Sequence, residues 1–319
     1  MKKYVGFLCL LLCAMLLSGC SDKNAATTPT ATPGNTLVIS AQPNESAADD
    51  SVVTLYFRYQ DTALLKQEMR KMTILPNETR ERALVNALLA GSQEGSEALF
   101  PPGVEVLSTQ VQGGVVFVTF NEALYGRYEN EGTQTDAAEA KLRRQLAMDA
   151  LTATLTESGQ YHAVQVLVRA ESQVGSSMRL KMSYFLEESD QPCDLLTRSE
   201  NHLMTPANVT HCLLLAWQQR SFDTLYPLMS SQEDIKLLPS QALFSEAFAQ
   251  SEMLIAYTLT PGSVSMDGDS AVVCVDMTLR RSDGSEHTVN AWPLRLTREG
   301  GAWKVSVSAL QALMQLSEE

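Results

Sequence analysis

The chain has 319 residues, 45% of them hydrophobic, with 24 Lys and Arg against 37 Asp and Glu, a formal net charge of −13 at pH 7. So acidic a chain repels phosphate backbones and anionic lipid headgroups, which argues against nucleic-acid binding and against adhesion to a membrane by charge alone. At roughly 100–200 residues per domain, the length suits two domains after a tail.

Lys2 and Lys3 precede an apolar run from Val5 to Leu17, and the small residues Ser18 and Gly19 follow. That order is a secretory signal, whose apolar region runs to about 7–15 residues, whereas a spanning helix needs about 20. Leu17-Ser18-Gly19-Cys20 resembles a bacterial lipobox. The resemblance implies a diacylglyceryl group on the Cys20 sulfur, cleavage before Cys20, and a protein held at the outer face of the cell membrane by its acyl chains. The alternative is an ordinary signal peptide in which Cys20 is incidental. Loss of residues 1–19 removes Lys2 and Lys3, so the net charge goes from −13 to −15.

Residues 20–50 are rich in Ala, Thr, Pro, Asn and Ser and hold one apolar patch, Leu37 to Ile39. Such a segment buries too little to order itself and reads as a flexible tether. Folded structure begins with "SVVTLYFRYQ", where Val53, Leu55 and Phe57 alternate with Thr54, Tyr56 and Arg58 as in a half-buried strand. After a loop, "NETRERALVNALLAG" predicts a helix with Asn77 as N-cap, Glu78 and Glu81 in the first turn, Leu84, Ala87 and Leu88 on one face, and Gly91 as its stop. "PPGVEVLSTQVQGGVVFVTF" predicts a hairpin about Gln112-Gly113-Gly114. A second helix lies in "TQTDAAEAKLRRQLAMDALTATLTESG", capped near Thr135 and Asp136, with Leu142, Leu146, Ala150 and Ala153 on one face and Gly159 at its end. "AVQVLV" is a further strand. The order β-α-β-β-α-β favours one sheet with two helices on a face.

"SVVTLYF", "ALVNALLAG", "PPGVEVLSTQVQGGVVFVTF" and "ALTATLTESGQYHAVQVLV" together resemble a GerMN domain, a module of spore germination proteins in Gram-positive bacteria. The resemblance spans 51–170 and implies an envelope protein acting in sporulation, germination or envelope assembly, with a fold akin to ring-building motifs that bind other proteins. It carries no catalytic signature. The insertion "YGRYENEGTQ" departs from the family pattern, as does "RAES" where a Gly usually follows the last strand.

Residues 171–200 read as one extra strand, "RLKMSYFL", and a polar linker. From 201 to 319 come the helical stretches "TPANVTHCLLLAWQQRSFDTLYPLM" and "LPSQALFSEAFAQSEML", then four strands separated by Asp267-Gly268, Asp283-Gly284 and Gly300-Gly301. Helices followed by an antiparallel meander make an α+β domain. With "GGAWKV" in its closing strands, it is similar to the nuclear-transport-factor-two-like, cystatin-like fold, which implies a curved sheet over helices and a cone-shaped pocket.

Candidate chemistry is sparse. His211 and Cys212 are adjacent and so point about 100° apart on a helix, unsuited to a Cys-His nucleophile. His162, His202 and His287 share no metal-ligand spacing, "MDGDS" is accounted for by a turn, and Glu187/Glu188 read as solvated charge. Cys212 and Cys274 read as buried hydrophobes, and Cys193 in "ESDQPCD" as free or paired outside the cell; no CxxC or Cys/His zinc spacing occurs. The sequons at Asn44, Asn77 and Asn208 carry no weight in a bacterial lipoprotein. No GxSxG, P-loop or dinucleotide fingerprint is present. No catalytic residue, metal or cofactor is assigned, and the reading is non-enzymatic. The competing reading places a ligand or weak catalysis in an aromatic pocket of the C-terminal domain, lined by Trp217, Tyr226, Phe244, Phe248, Tyr257, Trp292 and Trp303, with His211, Asp276 and His287 as acid or base. A third, cell-wall glycan binding, requires exposed aromatics.

Overall fold

A computed structural model describes residues 49–128, 131–132, 134–170, 176–231, 240–260 and 262–315, without the side chains of 49, 134–136 and 314–315. The expected leader, Cys20 and the tether to residue 48 lie outside the described residues, as does the sequon at Asn44. The class is α+β: five α-helices and eleven strands in three sheets among the described residues.

The chain enters as an antiparallel hairpin, β1 (Asp49–Arg58) and β2 (Leu65–Ile74), which is a two-stranded sheet of its own. The alternating residues Val53, Leu55 and Phe57 are buried as the pattern predicts. β2 falls where the sequence suggested a loop. Its alternation is concealed because the inward position between Leu65 and Ile74 is taken by Glu68, only 8% exposed. Burial raises the Glu68 carboxyl's pKa, but hydrogen bonds from Ser92, Arg70 and the Gln93 N–H outweigh it and hold the group below the usual carboxylate range.

Helix α1 (Arg80–Leu89) is capped by Thr79, whose side chain accepts from the Arg82 N–H at 3.3 Å, so Asn77 lies before the cap instead of forming it. Gly91 follows its end at φ +89°. Strands β3 (Val106–Gln112) and β4 (Val115–Asn121) close over Gly113-Gly114, whose φ values of 60° and 78° require glycine in a two-residue hairpin turn. Helix α2 (Gln134–Thr156) then crosses over to β5 (Ala163–Arg169), which pairs in parallel with β4. Thr135 and Asp136 fall within the first turn of α2, with side chains outside the described residues. Leu146, Ala150 and Ala153 of α2 are fully buried.

The main sheet runs β3-β4-β5-β6, with β6 (Met178–Arg179) and β7 (Leu196–Thr197) on opposite ends of β5. β1 is therefore not a member of the same sheet, contrary to the single-sheet expectation. Its hydrogen-bonding side is occupied by β2, and the Tyr56 N–H donates to Thr154 of α2 at 3.3 Å. "RLKMSYFL" is strand only at Arg179: Leu180 is buried, and Met182–Phe185 form a 3-10 turn ending at Leu186 with φ 57°. Leu180, Tyr184, Phe185, Cys193 and Leu203 all belong to the core of this first lobe.

The second lobe begins with α3 (Pro206–Gln218), capped by Thr205, and α4 (Gln241–Ala249). Its sheet is β8 (Met253–Thr260), β9 (Ser270–Arg280), β10 (Glu286–Glu299) and β11 (Ala302–Val305), antiparallel throughout and curled into a half-barrel. In β9 the odd-numbered residues Ala271 to Leu279 are buried and the even-numbered ones partly exposed, as a one-sided core demands. The last strand stops at Val305, five residues short of the expected strand "AWKVSVSAL". Ser306 accepts from the Ala309 N–H at 3.1 Å and starts α5 (Val307–Gln315), which buries Val307, Leu310 and Leu313.

The two cores meet at the tip of the first hairpin. Leu64 is 1% exposed yet belongs to the second core, while its neighbour Leu65 belongs to the first. Leu65 donates to the His202 carbonyl at 2.7 Å and accepts from the Met204 N–H at 2.9 Å. Tyr59 donates to the Pro227 carbonyl at 3.1 Å, and Lys304 of β11 donates to both of those oxygens.

Candidate functional site

The aromatic residues expected to line a C-terminal pocket instead fill a core. Trp217 and Phe244 are fully buried, and Phe248 and Trp303 nearly so. Phe244 packs tilted by 44° against Phe248 at 4.3 Å and meets Tyr226 edge-on at 5.6 Å between ring centres. The Trp217 indole N–H donates to the Glu252 carbonyl at 3.0 Å. These contacts leave no room for a ligand among the four buried rings.

Nor are the three candidate acid-base residues brought together. His211 on α3 contacts the Tyr257 hydroxyl at 3.0 Å. Asp276 on β9 accepts from the Ala291 N–H at 2.6 Å and clamps the bulge between Val289 and Trp292 of β10. His287 lies 3.6 Å from a Glu252 carboxylate oxygen, and the other oxygen of that carboxylate lies 3.5 Å from Arg281. Each histidine or carboxylate thus has its own structural neighbour.

Cys193, Cys212 and Cys274 are free thiols. Burial pushes the Cys212 thiol up to about 11, so beside His211 it is a poor source of thiolate. Burial likewise raises Cys193. In "MDGDS", Asp267 accepts from Ser265 and from the Asp269 N–H at 3.1 Å, which closes the turn. His202 pairs with Asp149 at 2.6 Å, and the His162 backbone N–H donates to the Gly114 carbonyl. Glu187 and Glu188 are exposed.

The insertion that departs from the family pattern is tied down by a polar network that sequence reading missed. Arg144, 3% exposed, donates to both Glu131 carboxylate oxygens at 3.1 and 3.2 Å and to the Gly126 carbonyl at 2.8 Å. Tyr128 donates to the Leu99 carbonyl at 2.7 Å, with the Arg143 guanidinium 4.3 Å over its ring. Arg58 of β1, 2% exposed, meets Glu139 of α2 through two nitrogens and donates to the Thr62 carbonyl at 2.8 Å. An arginine in strand alternation before a polar turn was the available signal, since a buried guanidinium requires carboxylate and carbonyl partners.

Two grooves open at the surface. In the first lobe a space of ≈ 770 Å³ lies at the ends of β4 and β5, bounded by the exposed Tyr125 and Met178 and by Lys181, whose amine pairs with Asp190 at 3.3 Å. In the second lobe a groove of ≈ 670 Å³ lies between β9, β10 and α5 and includes Trp292 in its wall. Of the seven aromatics expected to line a C-terminal pocket, Trp292 is in that groove and Trp303 borders a smaller space beside the hairpin. β3 has no strand on its outer side among the described residues, and Val111 on it is 47% exposed. No helix of the described residues is long and apolar enough to cross a membrane.

In comparison with known proteins, residues 54–173 match the Germane family, described as sporulation and spore germination. That match takes in most of the hairpin, strands β3 to β5 of the main sheet and both helices of the first lobe, and supports a sporulation- or germination-related role. Among solved structures, the first GerMN domain of the sporulation protein GerM from Bacillus subtilis is 16% identical, with 46% of this chain and 98% of that one covered and a TM-score of 0.30. The tandem GerMN domains of the same protein are 17% identical at a TM-score of 0.27, with 46% of this chain and 49% of that one covered, so the match spans about half of the tandem. A putative lipoprotein from Clostridium perfringens is 22% identical over 40% of this chain and 80% of that one, at a TM-score of 0.24. No curated protein matches the sequence.

Proposed function

We propose, with residues 54–173 as a GerMN-like domain of the Germane type, that this chain is a non-enzymatic lipoprotein of the cell envelope whose first lobe binds a protein partner during sporulation or germination. The Germane match carries the reading. The lipobox-like Leu17–Cys20 supplies the membrane anchor, and residues 20–50 the tether that sets the folded part away from the bilayer.

The open side of β3 supports a binding role, because an edge strand offers unpaired backbone groups to a strand of another chain. The competing reading, catalysis or ligand binding among the C-terminal aromatics, loses its site where Trp217, Phe244 and Phe248 fill the core.

The test is in-cell photo-crosslinking from position 111 of the full-length chain in sporulating and germinating cells. Deleting 52–170 would be uninformative, since it removes Leu64 from the second core. A recurrent envelope protein attached at position 111 and lost in the Thr109→Pro variant is the expected result, since Thr109, like Val111, lies at a position whose N–H points away from β4. Failure to trap any protein from 111, with the chain present at the membrane, contradicts the proposed edge.

A further inference from the structure

Strand β3 is an edge without the devices that keep edges apart. Its seven residues, Val106 to Gln112, carry no charge and no proline, in a chain of formal net charge −13. Edge strands are ordinarily protected by charged side chains, prolines or bulges. The hairpin strand β2 has Lys66, Glu68, Arg70 and Lys71, while the edge strand β8 is bulged between Leu254 and Ala256, with its Ile255 carbonyl taken by the Gln218 side chain at 2.7 Å. In β3 the bulge lies at the start, between Val106 and Ser108, which leaves Ser108 to Gln112 straight up to the Gly113-Gly114 turn.

The register decides which groups this segment offers. Gln112 and Val115 flank the two-residue turn as a hydrogen-bonded pair, so Gln112, Gln110 and Ser108 aim their backbone groups at β4, and Thr109 and Val111 aim theirs outward. The side chains of Thr109 and Val111 lie opposite Val118 and Val116, both fully buried, on the face where the Thr109 hydroxyl meets that of Thr79 at 2.9 Å. Ser108, Gln110 and Gln112 are on the other face, with both glutamines exposed.

From this arrangement we infer that β3 pairs antiparallel with β3 of a second copy of this chain, about a two-fold axis at Gln110. The inference rests on β3 as the binding edge and names its occupant. In this register Thr109 stands opposite Val111 of the second copy, so both outward N–H groups and both outward carbonyls of each copy find a partner. Gln110 faces Gln110, whose amide is donor and acceptor at once, and Ser108 faces Gln112. The straight segment is centred on Gln110, so the two copies overlap over its whole length, and each bulge falls beside the other copy's turn. Charge permits the contact. The nearest charge along the strand, Glu105, stands about 30 Å from its counterpart, far beyond the screening length of about 8 Å. At the start of α1, Glu78, Arg80 and Arg82 are of mixed sign. An isologous two-fold contact is the commonest way in which like chains pair.

The test is disulfide trapping of the full-length chain in intact cells, with wild type as the control for its native thiols. A residue on the axis is in a non-hydrogen-bonded pair with about 4.5 Å between Cα atoms, inside the range of about 4.4–6.8 Å for a disulfide. On mild oxidation Gln110→Cys is expected to give a disulfide-linked dimer at least about tenfold faster than Gln112→Cys, whose Cα atoms the same register sets about 14 Å apart. Adding Thr109→Pro to Gln110→Cys removes an outward N–H and is expected to abolish the dimer. Equal rates for the two cysteine variants, no dimer from Gln110→Cys beyond that of wild type, or a dimer untouched by Thr109→Pro overturns the inference. A different envelope protein attached by light from position 111, with no dimer from Gln110→Cys, removes the second copy but leaves β3 as the binding edge. No attachment of any kind from position 111 removes both.

Discussion

Lys304, on the last strand of the second lobe, donates a hydrogen bond to the Tyr59 hydroxyl at the tip of the first lobe's hairpin. Desolvation in this joint, the largest cause, brings the lysine down from 10.5 to about 8, with Glu299 opposing and Lys66 assisting. Below about pH 8 the amine is charged in folded and unfolded chains alike, and the penalty for burying it is fully present. Between about 8 and 10.5 the unfolded chain holds the extra proton, so stability rises with pH across that window. Thermal unfolding of wild type and Lys304→Met at pH 7 and pH 9.5 should therefore show wild type gaining on the variant at the higher pH. Tyr59, raised to about 12 by burial first and by Glu299 and Glu94 second, acts in the opposite sense above pH 10, which is why the comparison stops short of it. A difference independent of pH would show that the amine is not desolvated in the joint.

Leu64 of the first lobe's hairpin packs in the second core, so the two lobes are expected to unfold as one cooperative unit. Leu64→Ala is expected to cost about 2–5 kcal/mol, as for a leucine removed from a filled core. Denaturant unfolding followed by far-UV signal and by Trp217 and Trp303 fluorescence should shift together in a single transition. Separate transitions for the two probes, with only one of them moved, would mean that the lobes unfold independently.

Removal of Glu131 leaves the Arg144 guanidinium buried with only carbonyl and ring partners. Glu131→Ala is predicted to destabilise by about 3–5 kcal/mol, the usual cost of stripping a buried ion of its counter-charge. Replacing exposed Glu286, which pairs with Arg280 at 2.7 Å, should cost less than about 1 kcal/mol. Equal effects in chemical denaturation would contradict the burial argument.

Ala291 occupies a left-handed conformation without being glycine. Ala291→Gly should raise stability by about 1 kcal/mol, because the strain on the Cβ is relieved. Gly262 is the opposite case: a Cβ there would stand 1.4 Å from the Val272 carbonyl oxygen, so Gly262→Ala should displace the loop before β9 and lower the melting temperature. A neutral outcome for either variant would show a different local backbone.

Much of this fold could be read from periodicity and turn chemistry. The glycine pair at 113–114, the alternation from Val53 to Phe57 and the helical face of Leu146, Ala150 and Ala153 each stand where those patterns put them. β2 could not, because Glu68 and Arg70 satisfy each other on a face that a hydrophobic pattern leaves blank. The start of α5 was hidden for a related reason: "VSVSAL" alternates like a strand until Ser306 caps a helix. At the site level, counting aromatics showed that seven were available but not which would be consumed by packing. Only partner accounting in three dimensions separates Trp217, whose N–H is used, from Trp292, whose N–H has no partner among the described residues.

Cys20 gives a direct chemical test of the anchor. Cells fed an alkyne-tagged fatty acid should label the wild-type chain, and Cys20→Ala should abolish the label and release the protein from the membrane fraction. Label retained in Cys20→Ala would place the acyl chain elsewhere.

The central claim is that a membrane-held GerMN-like lobe acts in sporulation or germination through the edge of its main sheet. The most direct measurement is heat-resistant spore yield and germination rate in the native host lacking this chain, complemented with wild type or with Thr109→Pro, which removes an outward-facing edge N–H, at equal protein level. Loss of either property, restored by wild type and not by Thr109→Pro, is the predicted result. Normal spores and normal germination without the chain would contradict the account.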